Sequence, residues 1–138
     1  MLGAVKDFFS KNHTFKRIVS NPYLYFEGKT ICKQLDTNIF QRKEQGSYLL
    51  SGQIQEFYQE YIFKWEDGRL FIFKKDNTLL HLLDFSACKN FPIITEHKHF
   101  CKDDVYHIHL TIENEKIFKT LYTIKGPQKN YQIFTQYT

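Results

Sequence analysis

The sequence predicts an all-β protein, a single closed antiparallel up-and-down β-barrel of about ten strands with a short N-terminal helix. Among its 138 residues are fourteen phenylalanines, nine tyrosines and one tryptophan, whereas alanine occurs only twice. Strands favour aromatic and β-branched side chains, and helices favour alanine. Apolar and polar residues also alternate in one segment after another, with short polar turns between the segments. A meander of this length avoids exposed edge strands by closing on itself.

The first segment is the exception to the alternating pattern. Val5, Phe8 and Phe9 have the i, i+3, i+4 spacing of an amphipathic helix. This spacing predicts a short helix over residues 3–12 that ends near Asn12 and packs against one end of the barrel. No repeat or linker interrupts the remainder, so residues 1–138 are expected to form one barrel domain.

The strands are predicted from period-two alternation and from the turn residues between them. Gln45-Gly46 is interpreted as a turn, and Asp67-Gly68 is the strongest hairpin signal. Gly28, in the middle of a segment, predicts a bulge or a sharp bend. The expected strands are 14–19, 23–35, 39–43, 47–54, 57–66, 69–74, 78–85, 93–101, 105–113, 116–125 and 131–137.

Charge, apolar stretches and cysteines together indicate which partners and which compartment to expect. The net charge is +4, but the lysines are spread along the chain and there are only three arginines, so no nucleic-acid footprint is expected. No stretch approaches the roughly 18 apolar residues of a membrane helix, and no secretory signal is recognisable. Three cysteines without a CxxC pair indicate reduced thiols. We therefore expect a cytoplasmic protein with no membrane partner.

Two neighbouring strands carry the candidate interior site. His81 shares a face with Leu79, Leu83 and Phe85, and His99 shares a face of the next strand with Cys101. If both faces point inward, two imidazoles and a thiol enter one lumen. Such a cluster is compatible with a metal site, an activated thiolate, a structural hydrogen-bond network or groups that orient a bound ligand.

The turn at residues 126–131 gives a second candidate site. Pro127 lacks an N–H group and interrupts any regular ladder, so Lys129 and Tyr131 are expected at one end of the barrel. Together with Asp104 and Tyr106 from another turn, they are expected to line the mouth of the cavity. A lysine at this position suits a carboxylate or a phosphate, whereas packing of the lysine stem against apolar surface is the alternative.

The C-terminal half resembles a family of uncharacterised small proteins. The resemblance rests on the stretches YIFKWEDGRLFIFKKDNTLLHLLDF, HFCKDDVYHIHL and GPQKNYQIFTQY, which occur in this order. It covers residues 26–137, although Gln128 and Asn130 stand where the family pattern has Arg and Asp. The resemblance implies a domain of unknown function with a lipocalin-like (calycin) barrel, and no activity. The lipocalin GxW motif is absent.

We therefore expect a barrel that binds a small, mostly apolar or anionic ligand in its interior. The expected ligand-binding residues are His81, His99, Cys101, Asp104, Tyr106, Lys129 and Tyr131. No catalytic residue, metal ligand, cofactor or oligomeric state is assigned from the sequence. Two alternatives are a small isomerase, lyase or hydrolase that uses interior His, Cys and Tyr groups, and a filled barrel that serves as an interaction module.

Overall fold

Ten antiparallel strands curl into a nearly closed barrel in the computed structural model, which describes residues 1–138. One short helix precedes the strands, as the sequence predicts. The elements are α1 (Leu2–Phe9), β1 (Thr14–Val19), β2 (Leu24–Asp36), β3 (Ile39–Leu50), β4 (Gln53–Glu66), β5 (Arg69–Lys74), β6 (Leu79–Asp84), β7 (Ile93–Cys101), β8 (Asp104–Ile112), β9 (Phe118–Gly126) and β10 (Lys129–Tyr137).

Each strand pairs with its neighbours in the chain, except that β6 and β7 do not pair with each other, and the first strand pairs with the last. The hydrogen-bonded order is β6-β5-β4-β3-β2-β1-β10-β9-β8-β7, so β6 and β7 form the two edges of the sheet. Side chains join these edges: the Nδ1 atoms of His81 and His97 lie 3.0 Å apart, and Thr95 donates a hydrogen bond to the Asp84 carbonyl at 3.4 Å. The barrel therefore closes along this seam through side chains.

The helix closes one end of the barrel. Val5, Phe8 and Phe9 are buried, and the Phe9 ring packs against Phe85 and Phe118 at centroid distances of 5.7 and 5.4 Å. Outside this contact, the Lys6 ammonium donates to the Thr37 carbonyl at 3.2 Å. The apolar stripe identified in the sequence thus packs against the barrel end and forms much of the core there.

The interpretation of Gln45-Gly46 as a turn was wrong. One continuous strand, β3, runs through both residues, and Gly46 pairs with Gly28 on one side and Phe57 on the other. The chain reverses instead at Ser51-Gly52, where both residues have positive φ angles of 51° and 78°. That geometry is typical of a two-residue hairpin turn whose twist matches the flanking strands.

Gly28 does not introduce a bulge, because the pairing of β2 with β1 and β3 continues unbroken through it. Its role is close packing. A Cβ atom at Gly28 would lie 2.6 Å from the Cζ atom of the buried Phe15 ring, and one at Gly46 would lie 2.7 Å from the Gly28 Cα and overlap the Glu27 carbonyl. The glycine pair therefore leaves room for an aromatic side chain over the strands.

A bulge occurs in β6 instead and changes which side chains face inward. Ile72 pairs with His81 and Phe73 pairs with Leu79, so Leu80 is the extra residue. As a result Leu79 is 41% exposed, whereas His81, Leu83 and Phe85 are completely buried. The expectation that Leu79 shares the inward face of His81 was wrong, because the extra residue reverses the alternation.

We predict that Gly46→Ala lowers the free energy of unfolding by at least about 2 kcal/mol, because the added methyl group meets backbone atoms that cannot move independently. Urea unfolding measures the change. Gly3→Ala is the matched control, since nothing lies within 4 Å of a Cβ at that helical position; it should be neutral or stabilising by up to about 1 kcal/mol. Equal effects of the two substitutions would contradict the proposed close packing.

Candidate functional site

The interior of the barrel contains a cavity of about 640 Å³. Of its 27 lining residues, 19 are hydrophobic, a balance typical of sites for small organic ligands. Phe9, Phe63 and Phe118 lie at the end closed by the helix, which is the floor of the cavity. The opposite end, the mouth, is surrounded by side chains next to the far turns: Val19, Leu24, Tyr48, Lys74, Leu80, Tyr106 and Tyr131.

Three strands contribute a buried ion pair to the deep part of this cavity. The Arg17 Nη2 atom of β1 lies 2.8 Å from a carboxylate oxygen of Glu44 on β3, and their side chains are 12% and 5% exposed. The Tyr137 hydroxyl of β10 donates to the other Glu44 oxygen at 2.6 Å. Arg17 Nε donates to Thr135 at 2.8 Å. Charge-assisted hydrogen bonds of this kind are among the strong ones in proteins.

Glu44 remains ionised in this setting. Burial opposes its ionisation, but the charges of Arg17 and Arg42 and the hydrogen bond from Tyr137 outweigh that effect, and they hold the pKa of the Glu44 carboxyl below its usual range. A buried ion pair is sensitive to the loss of one partner, because the remaining charge then has no compensation.

A second arginine lies beside the pair. Arg42 is only 2% exposed, and its Nη1 atom donates to the carbonyl of Phe9, the last residue of α1, at 3.1 Å. Its guanidinium carbon lies 5.4 Å from the centre of the Tyr137 ring. The Nη2 atom is buried and has no hydrogen-bond partner. Arg42 thus links the helix to the barrel through Nη1, while its Nη2 is unsatisfied.

Tyrosines form much of the remaining polar surface of the cavity. Burial raises the pKa of Tyr61 and raises that of Tyr122 well above its usual value, so both phenols stay protonated. The Tyr61 hydroxyl donates to Gln59 at 2.7 Å. Tyr122 is half-buried, and the part of its surface that remains accessible faces the cavity.

The predicted histidine cluster is partly formed. His81 is fully buried, with its ring centre 5.2 Å from that of His97, 6.2 Å from that of His99 and 5.3 Å from that of Tyr122. His81 and His99 are absent from the cavity lining: His81 packs beside Tyr122, and the His99 ring centre lies 6.1 Å from that of Tyr106. Cys101 is exposed at the end of β7. No three His, Cys, Asp or Glu side chains come together as a metal site requires.

The turn residues form a separate cluster near the mouth. Lys129 Nζ donates to the Tyr106 hydroxyl at 2.7 Å and lies 3.2 Å from an Asp104 carboxylate oxygen. Tyr106 and Tyr131 line the cavity, whereas Lys129 and Asp104 do not. The charge of Lys129 is therefore already paired within the protein, and the tyrosines are the members of this cluster that face the interior.

Sequence reasoning missed the residues at the floor: Arg17, Arg42 and Glu44. A signal for them exists, because Phe40, Arg42 and Glu44 alternate on one face of β3, and Phe15 and Arg17 do so on β1. Charged residues on the same face of a strand as buried aromatic residues indicate an interior polar site. The erroneous turn at Gln45-Gly46 divided β3 and obscured that pattern.

A second depression lies on the outer surface beside Gly28 and Gly46. It is larger, at about 810 Å³, but only 2 of its 10 lining residues are hydrophobic, and it is more open to solvent than the interior cavity. Its walls are the outward side chains of β2, β3 and β4, among them Glu27, Lys29 and Glu56. The interior cavity is the better candidate for a ligand site.

Comparison with protein families gives one match. The sequence model of the family of unknown function DUF6314 matches residues 9–138, which include all ten strands and the whole interior site. No curated protein matches the chain. No helix of the protein has the length and apolar character needed to span a membrane.

Two solved structures share the fold. A de novo designed fluorescence-activating β-barrel superposes with a TM-score of 0.52 at 6% sequence identity, over 97% of this chain and 95% of that chain. A redesigned β-barrel, mFAP1, bound to DFHBI superposes with a TM-score of 0.53 at 8% identity, over 96% of each chain. At such low identity the likeness concerns the fold alone.

We predict that the protein loses stability as the pH falls from about 6.5 to about 4. Burial, followed by the neighbouring histidines, lowers the pKa of His81 to about 3, and burial together with Arg42 lowers that of His13 to about 4. Both imidazoles are neutral in the folded protein and bind protons on unfolding, so their contribution is fully present above pH 6.5 and decreases below it. The slope reaches about 1.4 kcal/mol per pH unit for each histidine.

Urea unfolding at several pH values measures this slope. His81→Leu should reduce the slope by up to about 1.4 kcal/mol per pH unit, because one buried imidazole no longer titrates. A stability that stays constant between pH 7 and pH 4.5 would contradict the buried, neutral state of the two histidines.

We predict that Glu44→Gln destabilises the protein by about 3 kcal/mol, because it leaves two buried guanidinium groups without a counter-charge. Glu27→Gln is the matched control: Glu27 also accepts a hydrogen bond from a tyrosine, Tyr25, at 2.8 Å, but on the exposed surface. The control should change stability by less than about 0.5 kcal/mol. Similar losses in both variants, measured by urea unfolding, would show that the interior ion pair has no special role.

Proposed function

Because the chain belongs to the DUF6314 family, whose function is unknown, we propose from the geometry of the interior that the barrel binds a small, mostly apolar molecule. The observation that carries the proposal is the cavity of about 640 Å³ with predominantly hydrophobic walls. Its volume lies within the roughly 300–1,000 Å³ of small-molecule sites. The similar barrel mFAP1 is described as bound to DFHBI, which supports the view that a barrel of this shape can hold a small molecule.

The distribution of the core supports the same proposal. The aromatic side chains that fill the barrel are concentrated at the helix end, where Phe9, Phe85 and Phe118 are buried against one another. Toward the mouth, the inward side chains Leu24, Ile133 and Tyr131 are only half-buried and line the cavity. A barrel that served only as an interaction module would be expected to fill this space with its own side chains.

Among the residues predicted from the sequence, Tyr106 and Tyr131 are the ones we assign to ligand contact. Both line the cavity near its mouth, and Tyr106 is held in place by the hydrogen bond from Lys129. In this proposal Asp104 and Lys129 position Tyr106, while His81 supports Tyr122 and His99 supports Tyr106 from behind the cavity wall. Two of the predicted residues therefore contact the ligand in this proposal, and four others support the cavity wall.

The alternative of a cysteine–histidine enzyme receives little support. A nucleophilic cysteine must lie within hydrogen-bond reach of its base, but Cys101 is exposed at a strand end and His81 is completely buried. We therefore propose a ligand-binding module formed by residues 1–138. The three free thiols, Cys32, Cys88 and Cys101, are consistent with a cytoplasmic setting for this function.

We predict that the neutral apolar dye Nile red binds in the cavity with an increase in fluorescence, and that Ile133→Trp lowers its affinity at least about tenfold by filling part of the cavity. Phe134→Trp is the matched control, because the adjacent side chain faces outward and is 39% exposed. Fluorescence titration measures both affinities, and thermal unfolding checks that both variants are folded. Absence of dye binding, or equal loss in both variants, would contradict binding in the barrel interior.

A further inference from the structure

The charged groups at the floor of the cavity do not balance. Arg17 and Arg42 each carry a positive charge, and Glu44 is the single carboxylate between them. The other charged residues along the cavity wall do not supply the missing negative charge at the floor. Glu60 accepts a hydrogen bond from Tyr58 on the outer face at 2.9 Å, and Lys74 is exposed at the mouth. One positive charge therefore remains without a counter-charge in a low-dielectric setting, where such a charge is costly.

None of the neighbouring titratable groups can supply the missing negative charge near neutral pH. Burial raises the pKa values of Tyr122 and Tyr137, so these phenols remain protonated. Burial likewise raises the pKa of the Cys32 thiol, which contacts Arg42. His13 is neutral, because burial and Arg42 lower its pKa to about 4. The protein itself therefore has no second anion at the floor.

The helix compensates Arg42 only in part. The carbonyl end of a helix carries a partial negative charge of roughly half an elementary charge, and Arg42 Nη1 donates to the Phe9 carbonyl at this end. Arg42 Nη2 still lacks a partner although the residue is 2% exposed. The protein therefore leaves part of the charge and hydrogen-bonding capacity of Arg42 uncompensated.

Arg17 offers the donor that a ligand can reach. Its Nε and Nη2 atoms bind Thr135, Glu44 and Tyr137, which leaves Nη1 without a protein partner on a side chain that lines the cavity. The hydroxyl of Tyr122, also on the cavity wall, donates to no protein group and remains free for a ligand. An oxygen atom of a ligand at the floor would thus find free donors and an uncompensated positive charge.

We propose that the natural ligand of the cavity is an apolar monocarboxylate whose carboxylate binds at the floor, against Arg17 and within the field of Arg42. This inference rests on the proposed binding function and specifies its ligand class. A single negative charge balances the floor, whereas a phosphate dianion would leave an excess negative charge. The apolar walls then enclose the hydrocarbon part, and Lys74 at the mouth has the sign that attracts an anion.

The test compares two probes of the same chain length, decanoate and decanol, by isothermal titration calorimetry at pH 7. We expect wild-type protein to bind decanoate at least about tenfold more tightly than decanol, because only the carboxylate neutralises the floor. Equal affinities, or tighter binding of decanol, would overturn the inference while leaving the apolar binding function intact. Failure to bind decanoate, decanol and Nile red would overturn the binding function and the inference with it.

Substitution of Arg17 tests whether the preference for decanoate over decanol arises at the floor. Arg17→Met keeps an apolar stem, removes one positive charge and leaves Arg42 to balance Glu44, so the preference for decanoate over decanol should fall to less than about threefold. Lys16→Met is the matched control, because the adjacent lysine is exposed on the outer face of β1; it should retain the full preference. An Arg17→Met variant that keeps the preference would overturn the assignment. If this variant does not fold, the wild-type comparison of the two probes decides.

Discussion

The ion pair between Arg17 and Glu44, closed by the Tyr137 hydroxyl, is the interaction on which the interior depends. It joins β1, β3 and β10 across the inside of the barrel, and these strands do not all neighbour one another in the sheet. Because both charges are buried, the loss of either partner leaves the other without a compensating charge. The pair therefore fixes the relative positions of strands that backbone hydrogen bonds connect only through intermediate strands.

The ion pair lies between two parts of the barrel that differ in how closely their side chains are packed. Below the ion pair, α1 and the rings of Phe9, Phe85 and Phe118 form a closed core. Above it, the walls remain apolar but the space is not filled. Arg42 lies at the boundary, bound to the end of the helix on one side and unsatisfied on the other. The closely packed aromatic side chains therefore lie at the helix end, and the unfilled space extends toward the mouth.

The fold follows from local patterns in the sequence, but the floor of the site does not follow as easily. Alternation and turn residues predict the strands, and the spacing of Val5, Phe8 and Phe9 predicts the helix. These local patterns do not predict the roles of glycines or the positions of bulges. Gly46 resembles a turn residue but provides close packing, and the extra residue Leu80 reverses the face of Leu79. The pairing of Arg17 with Glu44 joins residues 27 positions apart on two strands that are not neighbours in the sheet, and no local pattern contains this contact.

A crystal structure of the protein with decanoate that carries a terminal bromine reveals the orientation of the ligand in the barrel, because the bromine marks one end of it. If the carboxylate binds at the floor, an anomalous bromine peak is expected near Tyr106 and Tyr131 at the mouth, with the carboxylate within hydrogen-bond distance of Arg17. A bromine peak at the floor beside Phe63 and Phe118, with the carboxylate at the mouth, would contradict this arrangement, as would a ligand bound only on the outer surface.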